Sequence, residues 1–264
     1  MNIGTVIIGD EILSGKRRDQ HLAKLIEMLA ARGLTLSWAR YVGDERARIS
    51  ETLAQAFASG DLVFSFGGIG ATPDDHTRQA AADALGVPLS LHPEARDLIL
   101  SRIREMAAEQ GEPYEPDRPD NARRLHMGVF PAGASIIPNP YNKIPGFSVG
   151  HVHFVPGFPV MAWPMVEAVL DGRYAHLHQD AAPRERSVLV FGSMESTLTP
   201  LMEEIETRFA PVKVFSLPSV DHPRHGRHIE LGVKGRGELV DAAYLALRDG
   251  AAALGARLGD ELVR

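Results

Sequence analysis

The sequence predicts an α/β protein: a doubly wound, mainly parallel sheet covered on both faces by helices in a three-layer sandwich, followed by a small α/β sandwich module. Three observations predict it. Short apolar runs rich in strand formers stop abruptly at glycine, residues 3–8 before Gly9 and 62–66 before Gly67, as strands buried on both faces do. Stretches of helical periodicity separate such runs, giving the strand-helix alternation of a parallel sheet. After a polar stretch at 171–184, the expected linker, the composition resets into a second, shorter series of strands and helices.

Taken in order, residues 3–8 make the first strand, which breaks at Gly9-Asp10-Glu11. Asp19 is placed to cap a helix in which Leu22, Leu25, Ile26 and Leu29 recur at helical spacing until Gly33 stops it. Residues 34–42 read as the second strand, and Asp44 as the cap of a helix turning Ile49, Leu53, Ala56 and Phe57 inward. The third strand, 62–66, runs into Gly67, Gly68 and Gly70, after which Asp74, Asp75 and Thr77 open a helix with Ala80, Ala81, Ala84 and Leu85 as its apolar face. Residues 93–109 form a long helix on a stripe of Leu98, Ile99, Ile103 and Met106. A charged, proline-rich loop follows at 111–120, then a helical turn at 121–125. Residues 131–159, dense in proline and glycine, are expected to make short antiparallel strands covering one sheet edge. A packed helix at 160–170 closes the first part. The module beyond the linker reads as strands at 187–191, 212–217 and 228–233 with helices at 195–209 and 238–253.

Composition narrows the function classes. The 264 residues are 44% hydrophobic and 23% charged, an ordinary globular balance with ample material for a core. A net charge of −6 and no dense Lys/Arg run argue against a nucleic-acid partner. No apolar segment reaches the ~20 residues of a membrane span, so no membrane partner is expected. The opening MNIGTVIIGDEIL lacks a basic start and meets acid at once, as a strand does and a signal peptide does not. The absence of cysteine removes disulfides and thiolate chemistry and fits a cytoplasmic location.

Topology points to a site. In a 2-1-3 strand order the loops leaving strands one and three diverge at the switch point where ligands bind. Those loops are Gly9-Asp10-Glu11 and Gly67 to Asp75, both glycine-bearing and acidic. Two familiar phosphate motifs are excluded. No Lys-Ser/Thr follows the last glycine, and Pro73 stands where a dinucleotide fingerprint needs its third glycine. Two carboxylates beside a phosphate repel it unless a divalent cation lies between them. The alternative for Asp74 and Asp75 is an acidic helix start that complements the dipole. His151 and His153 share a strand face and read as packed histidines rather than metal ligands. His222, His225 and His228 fit a solvated hairpin turn better than a zinc site.

The segments GGIGATPDDHT (67–77), IGDEILSGKRRD (8–19) and VPGFPVM (155–161) together resemble the molybdopterin-binding MoaB/Mog-type domain, in the version found at the N-terminus of CinA (competence/damage-inducible) proteins. The resemblance covers residues 1–172, and more loosely 183–254, which is similar to the small middle domain of CinA-type proteins. It implies that Gly67, Gly68, Gly70, Thr72, Asp74, Asp75 and Thr77 line a ligand crevice whose opposite wall is Gly9, Asp10 and Glu11. It further implies that Asn139, Pro145 and Gly146 form a cover loop and Pro156, Gly157 and Pro159 a second turn. Departures from the family pattern are Ala71 for proline, His21 for asparagine, and Asn142-Lys143-Ile144 for a small Gly-Thr-Ala type segment, which brings the Lys143 cation toward the phosphates.

Two functions follow from the resemblance. The first is a metal-dependent nucleotide pyrophosphatase acting on ADP-ribose-like substrates. There Asp10, Asp74 and Asp75 hold one or two divalent ions (Mg²⁺, Mn²⁺ or Co²⁺), Glu11 or His76 serves as general base, and Lys143 or Arg78 steadies the leaving phosphate. The second is a molybdopterin-binding protein of molybdenum cofactor biosynthesis, or a non-catalytic regulatory relative. The partner is then a small nucleotide or pterin phosphate, and a homo-oligomer, dimer or trimer, is expected. No counterpart of the deamidase-type C-terminal domain of full-length CinA is seen, so nicotinamide mononucleotide deamidation is not expected.

Overall fold

The computed structural model describes residues 1–179 and 184–264, which form two compact units, Met1–His178 and Gln179–Arg264. The first unit runs β1 (Ile3–Ile8), α1 (Asp10–Leu13), α2 (His21–Ala30), β2 (Trp38–Val42), α3 (Arg46–Ser59), β3 (Leu62–Phe66), α4 (Thr77–Leu85), β4 (Leu89–Leu91) and α5 (Pro93–Gln110). It continues with α6 (Pro119–Leu125), β5 (Val129–Pro131), β6 (Ser135–Ile137), β7 (Gly146–Val149), β8 (Val152–Val155) and α7 (Pro159–Arg173). The main sheet has the order β2-β1-β3-β8-β7-β6, and β4 pairs with β5 separately. β2, β1, β3 and β8 are parallel; β7 and β6 continue the sheet antiparallel.

The period of two along each strand divides the core into two layers. Ile3, Ile7, Phe64 and Phe66 face α2 and α7 with Leu25, Leu29 and Met165. Val6, Ile8, Val63 and Phe154 face α3 and α4 with Ile49, Leu53 and Ala80. Full burial of such side chains contributes about 1.5–3 kcal/mol each.

The structure alters several expectations. Residues 131–159 do not cover a sheet edge; they supply β6, β7 and β8, and β8 lies beside β3. Val152–Val155 is buried throughout, which suits an interior strand. The second strand begins at Trp38 rather than at residue 34. Asp44 does not cap α3, whose N-cap is Glu45 without a side-chain bond. The expected linker at 171–184 starts too early, because α7 extends to Arg173 and Tyr174 is buried in the first core. The expected domain start at 183 lies outside the described residues.

The second unit comprises β9 (Arg184–Phe191), α8 (Glu195–Arg208), β10 (Lys213–His222), β11 (Gly226–Gly235), α9 (Leu239–Ala253) and β12 (Arg257–Val263). Its sheet, ordered β10-β11-β9-β12 with antiparallel pairing, packs Val188, Val190, Leu231 and Val233 against Leu198, Ile205, Tyr244 and Leu247. β12 lies beyond the module expected to end at 254. Its RLGDELV sequence mixes charge with leucine, and its pairing shifts register between Leu258 and Glu261, as edge strands often do. No described helix is long and apolar enough to cross a membrane.

Candidate functional site

Strand direction gathers the expected site residues at one end of the main sheet. β1, β2, β3 and β8 end there, and antiparallel β6 and β7 meet there in a turn. The loops after Ile8, Val42, Phe66, Ile137 and Val155 therefore share the carboxyl end, where a doubly wound sheet binds ligands.

The glycine turn is set by close packing. Gly67 (φ 98°) passes so near the Ile8 carbonyl that a Cβ would stand 2.4 Å from its oxygen, and a Cβ on Gly68 (φ 68°) would stand 2.1 Å from Thr77 Oγ1. Both positions require glycine. Thr77 fastens the turn to the start of α4: its hydroxyl donates to the Gly67 carbonyl (3.1 Å) and its N–H to the Gly68 carbonyl (3.0 Å). Gly67 N–H donates to Val155 O at 3.0 Å, joining the turn to β8. Among the described residues, the N–H groups of Gly68, Ile69, Gly70 and Ala71 donate to no protein acceptor. Consecutive free amides in such a turn form a concavity suited to an anion.

Facing this turn stand carboxylates rather than cations. Asp10 N–H donates to Asp44 Oδ2 at 2.8 Å, and Asp44 N–H to Asp10 Oδ1 at 3.3 Å. Burial raises the Asp44 pKa, and the negative charges of Asp10, Glu11 and Asp74 raise it further. The Thr72 hydroxyl keeps Asp74 below its ordinary range, with His76 adding a smaller pull. Asp75 is turned back into its own loop, accepting from Thr72 N–H at 2.8 Å and from the Thr72 hydroxyl. The loop thus points Asp74 toward the acidic wall and uses Asp75 to hold its shape.

Other expected residues are placed differently. Lys143 does not reach the turn; it pairs with Glu105 on α5 and approaches Ser101 Oγ at 3.5 Å. Asn139 is buried and shapes the β6–β7 loop, donating to Asn142 Oδ1 (2.8 Å) and Ile144 O (3.0 Å). Gly146 serves strand packing, since a Cβ there would stand 2.3 Å from Phe154 O. Asp19 caps α2 as expected, accepting from His21 N–H at 2.8 Å and Leu22 N–H at 3.1 Å. His21 stacks on Phe66 at 4.4 Å and meets Gly157 O at 3.1 Å, and burial lowers its pKa. It ties the second Pro-Gly turn to the strand beneath the glycines. Asp44 is the residue the sequence analysis missed; its place just after the second strand is the signal that would have found it.

Among the described residues no three His, Asp or Glu side chains are arranged as a ready-made metal cluster. The acidic wall nevertheless suits a hydrated divalent ion, which needs one or two carboxylates and takes its remaining ligands from water and phosphate. Asp44, destabilised by its neighbours' charge, is the group such an ion relieves. The other histidines are not in the site. His153 is fully buried between Ser148 Oγ (2.7 Å) and Tyr174 OH (2.9 Å), and burial pushes its pKa down to about 3. His222 sits in the β10–β11 turn, where its Nδ1 accepts the N–H groups of Arg224 (3.3 Å) and His225 (3.2 Å).

A mainly parallel sheet with a fastened glycine turn and a group of carboxylates at its carboxyl end defines an α/β domain with a candidate ligand site there. Residues 4–176 match the family described as a probable molybdopterin binding domain, and the chain belongs to that family. A CinA-like protein of Syntrophotalea carbinolica is 30% identical over 79% of this chain and 51% of its own length. A protein of Pyrobaculum calidifontis is 32% identical over 85% of this chain and 84% of its own. The crystal structure of a CinA protein of unknown function from Thermoplasma acidophilum superposes with a TM-score of 0.55 at 26% identity, covering 65% of this chain and 98% of that one. The chain spans about half the length of the CinA-like relatives it matches, 51% and 49% for two of them.

Proposed function

We propose that the carboxyl end of the first unit's sheet binds a nucleotide or pterin phosphate together with a divalent cation, and that it hydrolyses the phosphoanhydride of ADP-ribose-like nucleotides. One observation carries this: free backbone amides at Gly68 to Ala71 share the carboxyl end of the sheet with the carboxylates Asp10, Glu11, Asp74 and Asp44, the last raised by burial and further by the charges of the other three. Amides favour a phosphate, carboxylates favour a cation, and a metal-bound phosphate satisfies both. Asp44 with one of its neighbours, Asp10 or Asp74, would hold the ion, which would supply charge neutralisation and an acidified water. Glu11 and His76, half-buried on either side, are the groups placed to accept a proton.

A molybdopterin-binding role without hydrolysis is the second possibility, favoured by the description of the matched family; it uses the same cradle for the pterin phosphate. Assaying AMP release from ADP-ribose with Mg²⁺, Mn²⁺ or Co²⁺ separates the two. Metal-stimulated turnover that falls at least a hundredfold in Asp74→Asn supports the hydrolase. Binding of molybdopterin without turnover selects the second role. Turnover that survives intact in Asp74→Asn removes that carboxylate from the chemistry.

A further inference from the structure

The Thr72–His76 loop has a second face. Against it lies a cavity of about 390 Å³ lined by Asp75, His76, Arg78, Leu89, Arg123 and His126 among others. Arg78 is the unusual member. It is 5% exposed, yet no carboxylate lies within ion-pair distance among the described residues. Its guanidinium donates to the Ile69 carbonyl, and it feels the charge of Asp75, whose Oδ2 is engaged by Thr72. Burying a guanidinium without a bound anion is costly, and Asp75 offsets that cost only from beyond ion-pair distance. Arg123, on the last turn of α6, is exposed, and its side chain has no ion pair or hydrogen bond among the described residues.

These features ask for one guest. Two arginines want an anion, and Leu89 offers an apolar surface to a ring. A sugar carrying a phosphate meets all of them. Because Arg78 grips the cradle loop through Ile69, the cavity adjoins the free amides. We propose that this cavity is a second anion subsite, taking the further phosphate and its sugar when the first phosphate rests on the Gly68–Ala71 turn. The inference builds on the proposed function and narrows it. The ligand class becomes phosphoanhydrides with a sugar on the far phosphate, in preference to monophosphates.

The test is calorimetric titration of the full chain with AMP, ADP, ADP-ribose and inorganic pyrophosphate at fixed Mg²⁺, in wild type, Arg123→Ala and Arg123→Lys. The Arg123 side chain is exposed and makes no ion pair or hydrogen bond among the described residues, so its substitution should leave the melting temperature unchanged. Loss of one charge-assisted contact should weaken ADP and ADP-ribose about tenfold, leave AMP unaltered, and be partly repaired by lysine. Equal weakening of AMP and ADP, or no weakening of either, overturns the subsite. If wild type binds no nucleotide, the proposed function fails instead. Pyrophosphate then judges the subsite alone: binding that is lost in Arg123→Ala upholds it, and absent or unchanged binding overturns it.

Discussion

The carboxyl end of the first unit's sheet and the second unit treat charge in opposite ways. In the second, Arg184 and Arg186 donate to Asp241 at 3.1 and 3.0 Å, Arg186 reaches Glu261 at 3.4 Å, and Arg264 meets Glu230 at 2.7 Å. Arg186 keeps Asp241 below the ordinary carboxylate range. At the carboxyl end of the first unit's sheet, Asp44 is raised by burial and further by neighbouring acids, and Arg78 is buried with no acid within ion-pair distance among the described residues. Charges in one region are arranged for stability and in the other against it, which is where folded proteins place their ligand sites. Substitutions can break that contrast: loss of a structural charge should weaken the fold and spare binding, and loss of a site charge should do the reverse.

The largest effect should come from Gly68→Val. A side chain there must adopt a left-handed φ of 68° and displace Thr77 Oγ1 from 2.1 Å. Backbone strain of about 1–2 kcal/mol and overpacking of about 1–3 kcal/mol add to roughly 2–5 kcal/mol, read by urea unfolding. Because the turn carries the free amides, the ligand-induced rise in melting temperature should vanish as well. A destabilised variant that still responds fully to ligand would show the turn to be architecture alone.

Next in size is acid sensitivity, which sharpens the contrast inside the first unit. His153 is packed as a neutral, hydrogen-bonded group, its pKa near 3 against 6.5 for an ordinary histidine. The unfolded chain therefore binds a proton that the folded chain refuses. The contribution is fully present above pH 6.5 and is lost as pH falls from there toward 3. By pH 4 the loss amounts to about 3.5 kcal/mol, from about 2.5 pH units at roughly 1.4 kcal/mol each. His153→Gln should flatten this limb of the stability profile between pH 6.5 and 4; an unchanged slope would assign it to other groups.

How far the site was legible follows from the range of each interaction. β1 and β3 could be read because every residue is buried and glycine follows at once; hydrophobic runs and positive-φ turns are local properties. The common end of the strands followed from alternation of strand and helix. Asp44 was misread because its partner, the Asp10 N–H, is 34 residues away, while a helix start in the next residues offered a local explanation. Lys143 was misplaced for the same reason, since Glu105 lies 38 residues back. β8 was taken for a cover because its short length and flanking prolines hide that it joins the parallel sheet beside β3. β12 escaped because an edge strand need not be apolar.

The smallest effect is also the sharpest discriminator, a matched pair of isosteric changes. Asp241→Asn removes the charge that two arginines share and should lower the melting temperature slightly, most of the gain of an exposed pair being screened. Asp44→Asn removes a charge that its neighbours oppose. It keeps an oxygen that can accept the Asp10 N–H, so the fold should gain on the order of 0.5 kcal/mol after screening. That gain should be larger at pH 7 than at pH 4, because a raised carboxylate pKa means the acid is penalised only when ionised. Mg²⁺-dependent nucleotide binding should weaken in Asp44→Asn and stay intact in Asp241→Asn. If both variants lose stability equally and neither loses binding, the two regions hold charge for the same structural reason and the acidic wall is not a cation site.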